Sequence, residues 1–331
     1  MRSVEVLAPA RLHLGFLDLH GGLGRRFGSL GLTIEGIGTR VRLRPAAAGA
    51  VSVAAAPERA ASYLRKAQDA FGLPAPVDLA IAETIPEHAG LGSGTQLGLA
   101  VAAALTRLHG RAVPARALAD AVDRGARSGI GIGAFESGGF LVDGGRAATA
   151  ASAGAAPIVA RLPFPEDWPI LLIFDAARQG LHGRAETAAF GQLPEFTEQL
   201  AGRLCRVVLM QLLPGIAERD LAATSAALRE IQARVGDHFA AAQGGRFASP
   251  AVADALAWLE AEGVAGIGQS SWGPTGFAIV DDEKRAQTLA RHIGNRIGAG
   301  TLACRIVRAR NAGAAITEER QAEEDREGAA R

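Results

Sequence analysis

Four glycine-rich stretches hold most of the residues able to do chemistry. The first runs Pro86-Glu-His-Ala-Gly90-Leu91-Gly92-Ser93-Gly94-Thr95-Gln96, and apolar residues follow at Leu97, Val101, Leu105 and Leu108. The glycines let the backbone turn tightly and approach a ligand, and the apolar spacing predicts a helix just after them. A loop feeding a helix N-terminus presents unpaired N–H groups and the positive end of a helix dipole. Gly90, Leu91, Gly92, Ser93, Gly94 and Thr95 are therefore expected to bind a phosphate or pyrophosphate. With no ligand to hold, the same residues would make a tight turn capped by Ser93 or Thr95. The stretch lacks the Gly-Lys-Ser/Thr ending of a nucleotide P-loop, and the only lysines, Lys66 and Lys284, lie elsewhere. No Gly-x-Gly-x-x-Gly follows the apolar run Val77 to Ile81, so a dinucleotide fingerprint does not fit either.

The second stretch runs Pro9-Ala-Arg11-Leu-His13-Leu-Gly15 to Asp18, with Gly21, Gly22, Gly24 and Gly28 then surrounding Arg25 and Arg26. A guanidinium offers a planar fork to phosphate or carboxylate, so arginines on a glycine loop are candidate anion contacts. His13, beside Asp18 and these arginines, is a candidate catalytic residue. The third stretch, Arg124 to Gly145, embeds Arg127, Ser128 and Glu136 in backbone glycine-rich enough to pack against something close. The fourth is Gly266 to Gly276, which carries Gln269, Ser270, Ser271 and Trp272. Asp175, Arg178, His182 and Glu186 follow an apolar run on a glycine-broken loop, where site residues commonly sit.

Elements must position these stretches. Val4 to Leu7 is expected as a short strand, and Gly31 to Arg44 as a long one that pairs with Val51 to Ala55 in a hairpin. A helix opens at Pro57 with Tyr63, Leu64, Ala67 and Phe71 on one face, the strand Val77 to Ala82 leads into the 86–97 loop, and Pro114 starts another helix. This order is an α+β pattern. The alanine-rich 147–157 segment reads as an interdomain crossing, giving domains over 1–157 and 158–312. Beyond it come a buried strand from Trp168 to Phe174 and helical stripes through Leu204, Leu228 and Leu256. A strand at Phe277 to Val280, a helix from Glu283 and a strand at Leu302 to Ile306 follow. The 313–331 tail is charged and is expected to be solvated.

At 331 residues, 48% hydrophobic and 21% charged, the chain suits two sizeable cores. A net charge of +1 supplies no field that would draw it to nucleic acid or membrane. No secretory pattern opens it, and no long uncharged apolar window marks a membrane span. Cys205 and Cys304 have no metal-ligand spacing, fit a reducing cytoplasm, and are expected as core residues. Of the 35 basic residues, all but two are arginine, which general compositional bias explains.

Pro86-x-x-x-Gly-Leu-Gly-Ser is similar to the phosphate loop of the GHMP superfamily of small-molecule kinases. Pro9-Ala-Arg11-Leu-His13-Leu-Gly15 resembles its N-terminal motif, and the Gly266–Gly276 stretch its C-terminal glycine motif. Arg127-Ser128-Gly-Ile-Gly into Phe135-Glu136 and Gly-Gly-Phe140 looks like a non-kinase branch, β-ribofuranosylaminobenzene 5′-phosphate synthase. Gly94-Thr95-Gln96, the set Asp175 to Glu186, and Gln269-Ser270-Ser271-Trp272 are similar to that branch too. The resemblance implies a ribosomal protein S5 domain 2-like N-terminal domain, a ferredoxin-like C-terminal domain and a cleft between them.

It implies that phosphoribosyl pyrophosphate and 4-aminobenzoate or 4-hydroxybenzoate give a β-C-riboside 5′-phosphate, carbon dioxide and pyrophosphate, a step toward methanopterin-type carriers. Under that reading Mg2+ is held by Asp18 or Asp175. Arg26, ahead of Arg25 and Arg178, takes the aromatic carboxylate, Trp272 stacks on the ring, and His13 or Glu136 assists as a base. Arg11, Arg127, Ser128, Glu186, Gln269, Ser270 and Ser271 join the substrate contacts. The rivals are an ATP-dependent small-molecule kinase on the same fold and a non-catalytic sugar-phosphate sensor. A cytoplasmic protein, with a homodimer possible, completes the expectation.

Overall fold

Two long antiparallel strands form the spine on which the loops hang. β1 (Arg2–Asp18) and β2 (Arg25–Pro45) pair from Val4↔Leu43 to Asp18↔Phe27. The computed structural model describes residues 2–46, 51–53, 57–147, 154–180, 189–191, 193–297 and 301–320. β1 alternates apolar residues from Val4 to Leu14, all buried, so one of its faces lies in the core, while Glu5, Leu7 and Arg11 on the other are only partly buried. It is far longer than the short strand expected, and Arg25 and Arg26 open β2 instead of lying in a loop. β1 is irregular at Pro9/Arg11 and again at His13/Gly15. Such bulges re-aim backbone groups, and a proline without an N–H is tolerated at one.

The first sheet continues through β3 (Val51–Val53), β4 (Val77–Glu83), β5 (Phe140–Asp143), β6 (Arg146–Ala147), β7 (Ile158–Leu162) and β12 (Ala315–Arg320). Three expectations change here. β3 runs parallel to β4 instead of making a hairpin with β2, because α1 (Pro57–Phe71) carries the chain back across the sheet. β7, beyond the expected boundary at 157, pairs with β5 and so belongs to the first sheet. β12 pairs with β1 from Arg2↔Arg320 to Leu7↔Ala315, making part of the charged tail a strand; the rest, 321–331, lies outside the described residues. Ile316 packs against the core there while Glu318 and Glu319 meet Arg2 and Arg42 at the surface.

α2 (Ser93–Leu108) is buried nearly all round, with Leu99, Val101 and Leu105 inaccessible to solvent. A helix apolar on every side belongs in a core, and here it packs on β1 and β2. α3 (Ala115–Ala121) and α4 (Ile130–Glu136) complete this layer.

The second sheet has the order β11-β8-β10-β9, built from β8 (Ile170–Asp175), β9 (Gly266–Gln269), β10 (Gly276–Ile279) and β11 (Leu302–Val307), every pair antiparallel. α5 (Glu198–Val207) passes through a π-helical turn, Val208–Leu212, into α6 (Leu213–Ala217). α7 (Leu221–Gln243), α8 (Pro250–Ala261) and α9 (Glu283–His292) follow. The segment Glu198–Ala217 is, among the described residues, the one helix long and apolar enough to cross a membrane. It carries Arg203 and Arg206, and its Leu204, Val207, Leu212 and Ile216 are buried in the protein core. Cys205 is exposed on this segment and Cys304 only partly buried, contrary to the core positions expected.

Candidate active site

The phosphate loop gets its shape from what touches it. Gly92 caps α2 in the left-handed region at φ 88°, and no side chain caps this terminus. Thr95 N–H and Gln96 N–H both donate to Gly92 C=O, so neither Ser93 nor Thr95 takes the capping role. A Cβ on Gly90 would lie 2.1 Å from Ser270 C=O. Only glycine allows the loop to seat so closely on the β9–β10 turn.

The bulges of β1 hold the same loop. Arg11 N–H donates to Leu91 C=O at 3.2 Å, and its guanidinium Nη1 to Gly90 C=O at 2.5 Å. The Ser270 hydroxyl also donates to Gly90 C=O, at 2.8 Å, and accepts from His13 N–H at 3.0 Å. His13 C=O accepts from Ser271 N–H at 2.9 Å. The loop following β8 closes the third side, with Gly180 N–H donating to His88 C=O at 3.0 Å. Three stretches far apart in sequence thus converge on Gly90.

Two arginines outside the expected set of site residues reach this terminus. A Cβ on Gly94 would lie 2.7 Å from Arg59 Nη2 and 3.4 Å from Arg124 Nη2. Arg59 pairs with Glu87 at 2.6 Å, while Arg124 lies 5.2 Å over the Tyr63 ring and donates to its hydroxyl. Two cations and the positive end of a buried helix together favour an anion. Arg59 sits on the helix after Pro57 and Arg124 after α3, so only the fold brings them together.

Past His13 the site becomes aromatic. A pocket of about 410 Å³ of atom-free space, mouth included, is walled by His13, Phe16, Phe239, Trp272 and Gln243, with Arg246 at its edge. Trp272 packs edge-on against Phe239 at 4.6 Å and Phe190 at 5.4 Å, and His13 edge-on against Phe16 at 4.8 Å. Arg127 lies 5.2 Å over Phe190. His13 is buried, and its Nδ1 meets no hydrogen-bond partner among the described residues. Burial, helped by the Arg11 charge, lowers its pKa to about 3, so the imidazole is neutral across ordinary pH.

The other expected site residues divide. Asp18 and Arg26 are brought together: Asp18 Oδ1 accepts from Gly21 N–H at 2.8 Å, and the Arg26 stem lies against Gly21. They adjoin Phe27 and Phe16, whose rings are 5.7 Å apart. Arg26 Nε also donates to Leu19 C=O at 3.2 Å, Arg25 to Gly144 and Gly145 carbonyls at 2.7 and 2.6 Å, and Arg178 to Ala248 C=O at 3.2 Å, each a backbone tie. Asp175 accepts from the Ser249 hydroxyl at 2.6 Å and Ala177 N–H at 2.9 Å, which anchors β8 to the start of α8.

Ser128 donates to Asp143, a buried carboxylate that also accepts from Ser29, Gly129 and Gly145 N–H. Burial pushes the Asp143 carboxyl up, against the pull of these donors. Gln269 is spent on Ala248 N–H and Ser271 C=O, so it shapes the turn. Glu136 does not join the site. It is exposed at the far end of α4, beside Gly313, whereas Gly131 near the start of α4 meets Thr95 and Gln96. Glu186 and His182 lie outside the described residues.

Residues 55–139 match the GHMP kinases N terminal domain, and residues 212–299 match GHMP kinases C terminal. Among solved structures, a putative sugar kinase from Campylobacter jejuni superposes with a TM-score of 0.69 at 12% identity, covering 96% of this chain and 98% of that one. Lactococcus lactis galactokinase gives 0.66 at 15%, covering 95% of each chain. These likenesses show the fold alone. In sequence the chain is 32% identical to beta-ribofuranosylphenol 5′-phosphate synthase of Methanothermobacter thermautotrophicus, covering 83% of this chain and 88% of that one. It is 30% identical to the synthase of that name from Archaeoglobus fulgidus, covering 95% and 99%. On a GHMP kinase fold, then, the chain belongs to the β-ribofuranosylphenol 5′-phosphate synthase family.

Proposed function

We propose that the protein is a pentosyltransferase that joins the ribosyl group of phosphoribosyl pyrophosphate to a para-substituted benzoate, releasing pyrophosphate and carbon dioxide. The relatives are named for a ribosylated phenol, the product left when 4-hydroxybenzoate loses its carboxylate, so 4-hydroxybenzoate stands ahead of 4-aminobenzoate. One observation carries the reading. The anion-binding turn at Gly90–Thr95 and the aromatic pocket are joined by a single hydrogen-bonded chain, Gly90 C=O to Ser270 to His13. A charged leaving group and an aromatic acceptor would meet there.

The chemistry follows from the groups present. As the anomeric C–O bond breaks, charge grows on the departing pyrophosphate, where the α2 N-terminus, Arg59 and Arg124 stabilise it. The ring carbon bearing the carboxylate attacks the opposite face of the sugar. One inverting displacement turns the α pyrophosphate into a β product, and no enzyme nucleophile is needed. Loss of carbon dioxide then returns the C–C electron pair to the ring.

Magnesium, expected with a pyrophosphate substrate, would neutralise charge on the leaving group. Asp175 fits it poorly, since both carboxylate oxygens already accept protein hydrogen bonds. Asp18 fits better, half-buried and bonded through Oδ1 to Gly21 N–H. Among the described residues no trio of His, Cys, Asp or Glu clusters for a metal, which suits an ion held largely by diphosphate oxygens. The reading is tested by thermal protection. Phosphoribosyl pyrophosphate with magnesium should raise the melting temperature, and ATP should not. Protection by ATP alone would favour the kinase reading.

A further inference from the structure

Resting on the reaction proposed above, we infer that the pocket between Phe16, Phe239 and Trp272 is the seat of the aromatic acid, and that the His13 imidazole donates its N–H to the acid's carboxylate. Three observations converge on it. The walls are aromatic edges and faces at the spacing of a ring cluster, so a flat ring gains contact area there at small entropic cost. His13 is buried on this wall, and its Nδ1 is buried with no hydrogen-bond partner among the described residues. A buried polar group without a partner is uncommon, and a ligand group supplies the missing one.

The orientation follows from connectivity. The ring carbon that carries the carboxylate is the carbon that bonds to the anomeric centre, and that centre is tied to the pyrophosphate at Gly90–Thr95. His13 is the pocket residue linked to that loop, through one serine hydroxyl. Its imidazole therefore faces the carboxylate end of the acid. A neutral donor orients a carboxylate without forming the ion pair that would oppose its departure as carbon dioxide, and His13 is held neutral by its burial. Arg246, the cation at the edge of the pocket, is already committed to Asp237 through two hydrogen bonds.

The test is a binding titration of the full chain with benzoate and with 4-hydroxybenzoate, read by tryptophan fluorescence with magnesium pyrophosphate present. Both acids should change the emission, and the change should vanish in Trp272→Phe. His13→Leu removes the N–H but leaves its backbone bonds to Ser270 and Ser271. It should weaken both acids by the same factor, roughly tenfold, with the pyrophosphate affinity retained. Val235→Phe fills the pocket and should abolish acid binding, again with pyrophosphate affinity retained.

Unchanged affinities in both variants would overturn the assignment. A loss confined to 4-hydroxybenzoate would overturn the orientation, and an equal loss for pyrophosphate would reduce His13 to a structural residue. Phosphoribosyl pyrophosphate-dependent carbon dioxide release that survives Val235→Phe retires the pocket and leaves the reaction standing. Acid binding at Trp272 without such release retires the reaction and leaves the pocket.

Discussion

At His13 the protein sets a charge state that solvent would not. Its folded pKa of about 3 lies below the ordinary 6.5, so the protonated form favours the unfolded chain. The stability this contributes is full above pH 6.5 and is lost as the pH falls from there toward about 3. In urea unfolding, His13→Leu should show a flatter decline than wild type across that window; parallel curves would mean the imidazole is not buried neutral. The anion-facing arginines make a second prediction. Arg59→Gln and Arg124→Gln should each raise KM for phosphoribosyl pyrophosphate about tenfold, the loss of one charge-assisted hydrogen bond, with little change in KM for the acid. Steady-state kinetics with each substrate varied decides it. Gly90→Ala forces a methyl onto Ser270 C=O and should cost at least 1–3 kcal/mol of stability along with activity, read by thermal melting.

The elements position these residues by breaking their own regularity. Both bulges in β1 release backbone groups of Arg11 and His13 from the β2 ladder to hold loops from elsewhere in the chain. Gln96 does the same work between helices. Its side chain donates to Gly131 C=O at 2.7 Å, pinning the start of α4 beside the phosphate loop. Gln96→Leu removes this tie at a cost of about 0.5–1.5 kcal/mol, and should weaken phosphoribosyl pyrophosphate binding as α4 drifts. Equal melting temperatures would show that α4 is held without it.

Much of this was legible in the sequence, because the 86–108 stretch and the helices after Pro57 and Pro250 obey local rules of glycine, cap and period. α4 was not, since Ile130-Gly-Ile-Gly-Ala-Phe-Glu136 reads as turn; glycine is a poor helix former, and only contact with Thr95 and Ile158 explains its use. Arg25 and Arg178 have the chemistry of a site but spend it on backbone carbonyls, and Asp175 on the Ser249 hydroxyl and Ala177 N–H, which sequence alone does not distinguish. Arg59 carries no local signal and Arg124 only its place at the start of the Arg124–Gly145 stretch, because long-range packing alone brings them to Gly94.

Over the whole molecule, the two sheets meet at the site. Side chains of β1 and β2 share one core with α5, α7 and β8, so the cleft is part of the interior and not a seam between independent units. The chain end contributes as well: removing residues from 315 onward exposes the β1 edge and should lower the melting temperature by several degrees, since Ile316 and a full ladder are lost. A truncated chain that melts with the intact one would deny β12 that role. The family assignment concerns the whole chain, and so does its most direct test: release of carbon dioxide from carboxyl-labelled 4-hydroxybenzoate and 4-aminobenzoate, with magnesium, in the presence of either phosphoribosyl pyrophosphate or ATP. The account predicts release only with phosphoribosyl pyrophosphate, faster from the hydroxy acid and matched by one pyrophosphate per carbon dioxide. No release from either acid, with ATP consumed against a small alcohol instead, would contradict it.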